Sequence, residues 1–317
     1  MNNIKLISIS GPTASGKSGL AVALAKALLE EGTAAEIVSC DSMQIYRGMD
    51  VGTGKVRREE TGGIPHHLLD LFDPREECSL ADFSALAHKA IEEVANRGSF
   101  PILCGGTGLY LDHILYDTTL SEASGNEGLR AELEGYDNDT LHQRLASIDP
   151  ESAAAIHKNN RKRVIRALEI YLVSGKTKSQ WDADSKKKQS RYDARRVHLV
   201  SPDREFLYGR INRRVDGMFE EGLEDEVRQI FSSPLSKTAA QAIGYKEFLP
   251  YFDGQCSLEE VKEQIKQASR NYAKRQLTWF KKEEEGALLL DCATPTEEQV
   301  AQCIHFLRQS PSKNQNQ

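Results

Sequence analysis

Apolar and polar positions follow two rhythms over the first hundred residues. Short apolar runs at 5–10, 35–40 and 100–104 read as strands buried on both faces, while the apolar positions of 17–31 and 79–97 recur at the three- and four-residue spacing of helices. A shorter apolar run covers 67–72. Strand and helix in alternation predict the α/β class, a parallel sheet flanked by helices. From 119 to 195 the pattern is helical throughout, with Asp139, Asp149 and Asn159 placed to cap helices and Pro150 at a first-turn position, which predicts an all-helical insertion. Strand character returns at 196–200 and 287–291, with helices over 203–231, 258–282 and 296–309. The expected organisation is a core in two parts, 1–118 and 196–309, an insertion at 119–195, and a disordered tail at 310–317.

The turn after the first strand carries the most specific chemical signal. Gly11, Pro12, Thr13, Ala14, Ser15, Gly16, Lys17 and Ser18 spell the G-x-x-x-x-G-K-S phosphate-binding loop (P-loop), with a strand before it and a helix after it. Its glycines let backbone N–H groups turn toward phosphate oxygens, Lys17 adds a cation, and the Ser18 hydroxyl suits a phosphate-bound Mg²⁺. Such a loop binds ATP or any other polyphosphate ester, so it identifies the anion and leaves the rest of the ligand open.

Composition narrows the surroundings. A chain of 317 residues with 39% hydrophobic residues buries a substantial core, and no apolar stretch approaches the length of a membrane span, so the cytoplasm is the expected compartment. Six scattered cysteines without a C-x-x-C pair point to reduced thiols. A net charge of -6, from 41 Lys and Arg against 47 Asp and Glu, excludes indiscriminate nucleic-acid binding and leaves only local basic patches for that purpose. No obligate protein partner is evident, and the chain reads as a monomer.

Four further features bear chemistry. Asp41 follows the second strand, at the sheet edge where ligands of open parallel sheets bind. A general base, a carboxylate oriented toward Mg²⁺ and a helix cap all remain open for it. The strand at 100–104 ends in Gly105, Gly106 and Thr107 where a motor ATPase carries an acidic residue; a phosphate contact by Thr107 and a plain strand-to-helix turn both fit. His66 and His67 are adjacent, so on a strand they point apart, which favours packing or loop hydrogen bonds over a metal pair. Finally, Lys162, Arg163 and Arg166 cluster on a helix whose apolar Val164, Leu168 and Tyr171 face inward. Lys262, Lys266, Arg270 and Lys274 recur every fourth residue beside Arg275, with Tyr272, Trp279 and Phe280 placed to stack on bases.

Taken together, these residues resemble a known family. Gly-Pro-Thr-Ala-Ser-Gly-Lys-Ser at 11–18, Asp-Ser-Met-Gln-Ile-Tyr at 41–46, Gly-Ile-Pro-His-His-Leu-Leu-Asp at 63–70 and Gly-Gly-Thr-Gly-Leu-Tyr at 105–110 are similar to motifs of the bacterial tRNA dimethylallyltransferases. So are Arg-Val-Ile-Arg-Ala-Leu-Glu at 163–169, Gln-Ala-Ile-Gly-Tyr-Lys-Glu at 241–247 and Tyr-Ala-Lys-Arg-Gln-Leu-Thr-Trp-Phe at 272–280. The resemblance implies transfer of a dimethylallyl group from dimethylallyl diphosphate to N6 of the adenosine 3′ of a tRNA anticodon. It implies Asp41 as general base, residues 11–18 as the diphosphate cradle with Mg²⁺ near Ser18, and Thr107 and Arg214 on the leaving diphosphate. For tRNA it implies contacts from Asp41, Ser42, Met43 and Gln44, from Lys162, Arg163, Val164, Ile165 and Arg166, and from Arg270, Lys274, Arg275 and Gln276, with the helical insertion on the anticodon stem. Residues 118–130 and 176–195 match loosely, so Arg130 and the Trp181 region receive no role. The alternative is a small-molecule or nucleoside kinase, with ATP in the loop and Asp41 accepting a hydroxyl proton.

Overall fold

The computed structural model describes residues 4–116, 126–185, 190–281 and 285–309. Strands β1 (Lys5–Ser10), β2 (Ala35–Ser39), β3 (His66–His67), β4 (Phe100–Gly105), β5 (Asp193–Val200) and β6 (Leu288–Asp291) form one sheet in the order β3-β2-β4-β1-β5-β6, and every pair is parallel. The near-continuous apolar runs of β1, β2 and β4 follow from this arrangement, because central parallel strands are covered on both faces.

Helix α1 (Lys17–Glu30) buries Leu20, Leu24 and Leu28 against Ile7, Ile9, Ile37 and Ile102 of one sheet face. Helix α2 (Leu80–Asn96) packs on β2 and β4 with Phe83, Ala87 and Ile91 buried; by strand alternation Val38 and Leu103 face it from the opposite side. It starts at Ser79, whose hydroxyl accepts the Asp82 N–H while the Asp82 carboxylate accepts the Ser79 N–H, a reciprocal cap worth about 1 kcal/mol. Helix α3 (Gly108–Tyr116) leaves the end of β4.

Residues Leu115–Arg191 form a compact unit of their own. Its described elements are all helical: α4 (Glu127–Glu134), α5 (Asn138–Ile148), α6 (Pro150–Ala155), α7 (Arg161–Ser174) and α8 (Lys178–Ser185). Leu133, Leu141, Leu145, Val164 and Leu168 make its core. Beneath α7 the buried Glu169 carboxylate takes Arg130 on both oxygens and Arg166 on one, as well as the Asn126 N–H. The other unit continues through α9 (Arg204–Glu220), α10 (Leu223–Ile230), α11 (Leu249–Phe252), α12 (Leu258–Phe280) and α13 (Thr296–Arg308).

Several boundaries differ from the sequence expectation. Only β3 and an isolated Tyr46–Phe72 bridge are extended within 67–72, because Leu68 and Asp70 adopt positive φ angles of 64° and 56°. The buried Lys55 ammonium holds the Asp70 carboxylate there at 2.5 Å. Strand β5 begins at Asp193 instead of 196, pairing with β1 from Lys5 onward; the polar Asp193 and Arg195 masked its first half. The helix expected over 203–231 is two, broken where Gly222 adopts a φ of 89°. Asp149 caps α6 as expected, accepting the Ser152 N–H, but α5 is capped by Asp137, not Asp139, and α7 follows Asn160, not Asn159. The start of the insertion at 119, the end at 282 expected for the helix from 258, and the tail at 310–317 lie outside the described residues.

Candidate active site

Sheet order explains why the motifs meet. The strands β2, β4 and β1 are consecutive, and their carboxyl ends are in register: Ser39 pairs with Cys104, Cys104 with Ile9, and Gly105 with Ser10. The chain leaving these strands therefore delivers Asp41, Thr107 and the 11–16 loop to one edge. The strand ends touch so closely that a Cβ on Gly105 would stand 2.0 Å from the Cys40 carbonyl oxygen. A side chain there would push β4 away from Asp41.

The phosphate loop is built as an anion cradle. Gly16, at a φ of 95°, precedes α1 without any side-chain cap, so the first-turn N–H groups and the positive end of the helix dipole remain open. Lys17 donates to the Pro12 carbonyl at 2.7 Å and bends back over the loop. Its stem is half-exposed, but its ammonium end is enclosed, and this burial, assisted by the Arg214 charge against the opposing pull of Asp41, lowers its pKa to about 8. The Ser15 hydroxyl is buried without a hydrogen-bond partner among the described residues, and the buried Thr107 hydroxyl interacts with the Tyr272 phenol.

From α9 two arginines reach the loop. Arg214 donates to the Thr13 hydroxyl at 3.0 Å and the Thr53 carbonyl at 2.8 Å, and Arg210 donates to the Ala14 carbonyl at 2.7 Å. Burial lowers the Arg214 pKa, yet it keeps its charge. From α12, Gln276 is buried with both ends of its amide engaged: its oxygen accepts the Thr13 N–H and its nitrogen donates to the Gly106 carbonyl, each at 2.8 Å. Tyr272 lies one turn earlier, its phenol pushed up to about 12 by burial and then by the Asp41 charge.

A cavity of about 320 Å³ joins these groups. Lys17, Ser18, Asp41, Gly106, Arg214 and Tyr272 line its polar part, and Ile211, Val215, Met218, Ile243 and Ile265 its apolar part. Asp41 is half-buried, with one carboxylate oxygen accepting the Met43 N–H at 2.9 Å and the other unengaged by any described residue. A second recess, lined by Gly16, Arg210 and Arg213, shares Lys17, Ser18 and Arg214 with the first. One cavity thus offers a phosphate cradle with two cations, a carboxylate, and an apolar wall.

Comparison with known proteins gives the same answer along the whole chain. A family model described as IPP transferase matches residues 44–283, and one described as isopentenyl transferase matches 4–71. A tRNA dimethylallyltransferase of Bacillus subtilis (strain 168) is 49% identical over 290 residues, 89% of this chain and 90% of its own. The chain belongs to this family. Another tRNA dimethylallyltransferase, from Anoxybacillus flavithermus, is 48% identical over 87% of both chains. Among solved structures, the full-length tRNA isopentenylpyrophosphate transferase of Bacillus halodurans superposes with a TM-score of 0.71 at 43% identity, covering 96% of this chain and 95% of that one. A eukaryotic dimethylallyltransferase described as acting on tRNA gives 0.81 at 30% identity, over 98% of this chain and 81% of its own.

Within this dimethylallyltransferase family member, the basic helices divide into exposed and engaged groups. Lys162, Arg163, Lys274 and Arg275 are exposed and enter no ion pair among the described residues. Lys262 and Lys266 do not face outward for an anionic partner: both hold Asp216 of α9 at 2.9 Å, so half of the expected stripe locks α12 to α9. Arg270 is half-buried and donates to Asn212 and Gln267. Val164 and Ile165 are buried in the helical core, which removes their side chains from any RNA-facing surface, and Arg166 is committed to Glu169. Gln276 latches the phosphate loop to β4 and meets a substrate only through the cavity wall. Phe280 is buried and stacks on His198, whereas Trp279 is 38% exposed and donates to Asp112. His66 bonds the Ile64 carbonyl and His67 bonds Glu36. Arg210 escaped the sequence reading, although its i, i+4 spacing to Arg214 places both on one helix face.

Proposed function

We propose that this chain transfers a dimethylallyl group from dimethylallyl diphosphate to N6 of the adenosine 3′ of a tRNA anticodon. The observation that carries the reading is that Asp41, Lys17 and Arg214 line one cavity together with apolar residues of α9 and α12. The diphosphate sits on the N–H groups of the 11–18 loop, where Lys17 and Arg214 meet the charge that builds as it leaves. The Ser15 hydroxyl, within the loop and without a partner among the described residues, would complete its hydrogen bonding on a phosphate oxygen, and Thr107 follows Gly106 of the cavity wall. Ile211, Val215 and Ile265 receive the branched five-carbon group.

The amine nitrogen attacks the carbon bearing the diphosphate, the carbon–oxygen bond breaks, and its electron pair departs with the diphosphate. The proton on nitrogen passes to the free oxygen of Asp41, which the Met43 N–H holds in place. Ser18, in the first turn of α1 and on the cavity wall, would be the protein ligand for a Mg²⁺ that neutralises the diphosphate. The adenine must leave its stack to reach this depth, and exposed Lys274 and Arg275 at the cavity's α12 side, together with Lys162 and Arg163 of the helical unit, supply phosphate contacts. No described helix is long and apolar enough to cross a membrane, and a cytoplasmic enzyme acting on tRNA accords with that.

The test is incubation with unmodified tRNA and either labelled dimethylallyl diphosphate or γ-labelled ATP. Label on tRNA from the prenyl donor supports the reading. Label from ATP on a small acceptor would replace it with the kinase.

A further inference from the structure

The Glu226 carboxylate lines neither recess, yet it gathers four hydrogen bonds. One oxygen accepts the N–H groups of Asp50 at 3.0 Å and Val51 at 2.8 Å; the other accepts the Gly52 N–H at 3.0 Å and the Tyr245 hydroxyl at 2.6 Å. Three successive backbone N–H groups converge on one anion only when the chain is sharply curled, so Glu226 sets the shape of residues 50–52. Tyr245 is fully buried directly beneath, where a Cβ on Gly52 would come within 2.5 Å of its ring. The buried Lys55 ammonium closes the loop at its far end by holding the Asp50 carboxylate and the Tyr46 carbonyl.

This loop runs directly into the Arg214 contact. The Thr53 carbonyl takes Arg214 at 2.8 Å, and at Gly54, with a φ of 57°, a Cβ would stand 2.0 Å from the Arg214 guanidinium. Arg214 lies flat on this backbone and, among the described residues, forms no ion pair; the Thr53 carbonyl and the Thr13 hydroxyl alone fix its direction. Its positive charge is therefore left for a ligand, while its aim depends on where the 50–54 loop sits.

We propose that Glu226 is a positioning residue for the transfer reaction, acting through the 50–54 loop to aim Arg214 at the diphosphate. The inference rests on the diphosphate-binding role proposed above for Arg214. Replacement Glu226→Gln keeps the shape of the side chain but turns an NH₂ group toward one of the two donor pairs, which uncurls the loop. Calorimetry with inorganic diphosphate is expected to show affinity reduced about tenfold, with kcat for transfer reduced alongside and tRNA affinity unchanged. Tyr245→Phe, which removes one donor and leaves the three N–H groups in place, should give a smaller loss of two- to threefold in a stably folded protein.

The deciding measurement is the double variant. In an Arg214→Ala background, Glu226→Gln should cause no further loss of diphosphate affinity, because the residue it aims is gone. A further tenfold loss in that background would overturn the proposal, as would unchanged diphosphate affinity in both Glu226→Gln and Tyr245→Phe. Wild-type affinity in Arg214→Ala alone would instead overturn the reading of the site on which the proposal stands.

Discussion

The enclosed ammonium of Lys17 makes donor binding sensitive to pH in a window where most enzymes are indifferent. Its pKa in the free protein is lowered to about 8, chiefly by burial and then by Arg214, and a bound diphosphate would restore it toward or beyond 10.5. Binding then draws in a proton above pH 8. The apparent Kd is multiplied by one plus the ratio of neutral to charged lysine, which rises from about 1.1 at pH 7 to about 11 at pH 9, a loss of about tenfold or 1.4 kcal/mol. The last ionisation of dimethylallyl diphosphate has a pKa of about 6, as in other phosphate esters, so it is nearly complete at pH 7 and adds little slope above it. The assay is calorimetric titration of the donor at pH 7, 8 and 9, in two buffers of different ionisation enthalpy, to count the proton taken up. Lys17→Arg, whose guanidinium stays charged throughout, should bind with a flat profile. Stability moves the opposite way: the unfolded lysine holds its proton up to 10.5, so the free protein gains stability as pH rises from 8 toward 10.5. A flat wild-type profile, or a slope retained in the arginine variant, would refute the assignment of Lys17 to the phosphate cradle.

Asp41→Ala should lower kcat by roughly 10²–10⁴ and leave donor affinity within twofold, since its free oxygen is used only once nitrogen begins to attack; steady-state rates beside calorimetry separate the two. Thr107→Ala removes a hydroxyl whose described contact is the Tyr272 phenol, so Tm should nearly hold while kcat falls by about 10²; a large drop in Tm with kcat retained would count against a role in the transition state. Glu36 is held down to about 2 by Arg97 and then His67, so the stability it contributes is full above its ordinary 4.5 and is lost as pH falls toward 2. Arg97→Ala should therefore destabilise the protein at pH 7 and by a smaller amount at pH 3, read by denaturant unfolding. Double replacement of Lys162 and Arg275 by alanine should flatten the salt dependence of tRNA affinity by about two units of slope. Arg166→Ala should instead act through the fold, by about 1.5–3 kcal/mol, because it strips one of two arginine partners from buried Glu169, which keeps Arg130.

The sheet and most of its helices were legible because central parallel strands need continuous apolar runs, and the motif residues lie where those runs stop. The phosphate loop, Asp41 and Thr107 come together simply because β1, β4 and β2 are neighbours in register. What escaped the sequence was set by tertiary pairing. The first half of β5 hid behind Asp193 and Arg195, which are polar because the strand end is only half-buried. The basic stripe on α12 looked like a partner surface because four cations four residues apart repel one another; Asp216 on a different helix relieves that repulsion for Lys262 and Lys266. Ile165 shared a motif with its basic neighbours, but helical geometry turns it to the buried face, beside the Val164 expected there.

That division bears on how an acidic chain engages a polyanion. Lys55, Arg97, Arg130, Arg161, Arg166, Lys262 and Lys266 all hold carboxylates of the protein itself and contribute little net attraction at a distance. With a formal charge of -6, general attraction is absent, so approach to tRNA depends on the exposed cations that carry no internal partner. Lys162 and Arg163 on α7 are such a pair, and Lys274 and Arg275 on α12 another. Each pair offers an RNA phosphate cations that no carboxylate of the described residues holds. If these pairs carry the attraction proposed for them, adding surface lysines elsewhere should raise affinity for all RNAs and erode the preference for tRNA over unstructured RNA in competition binding.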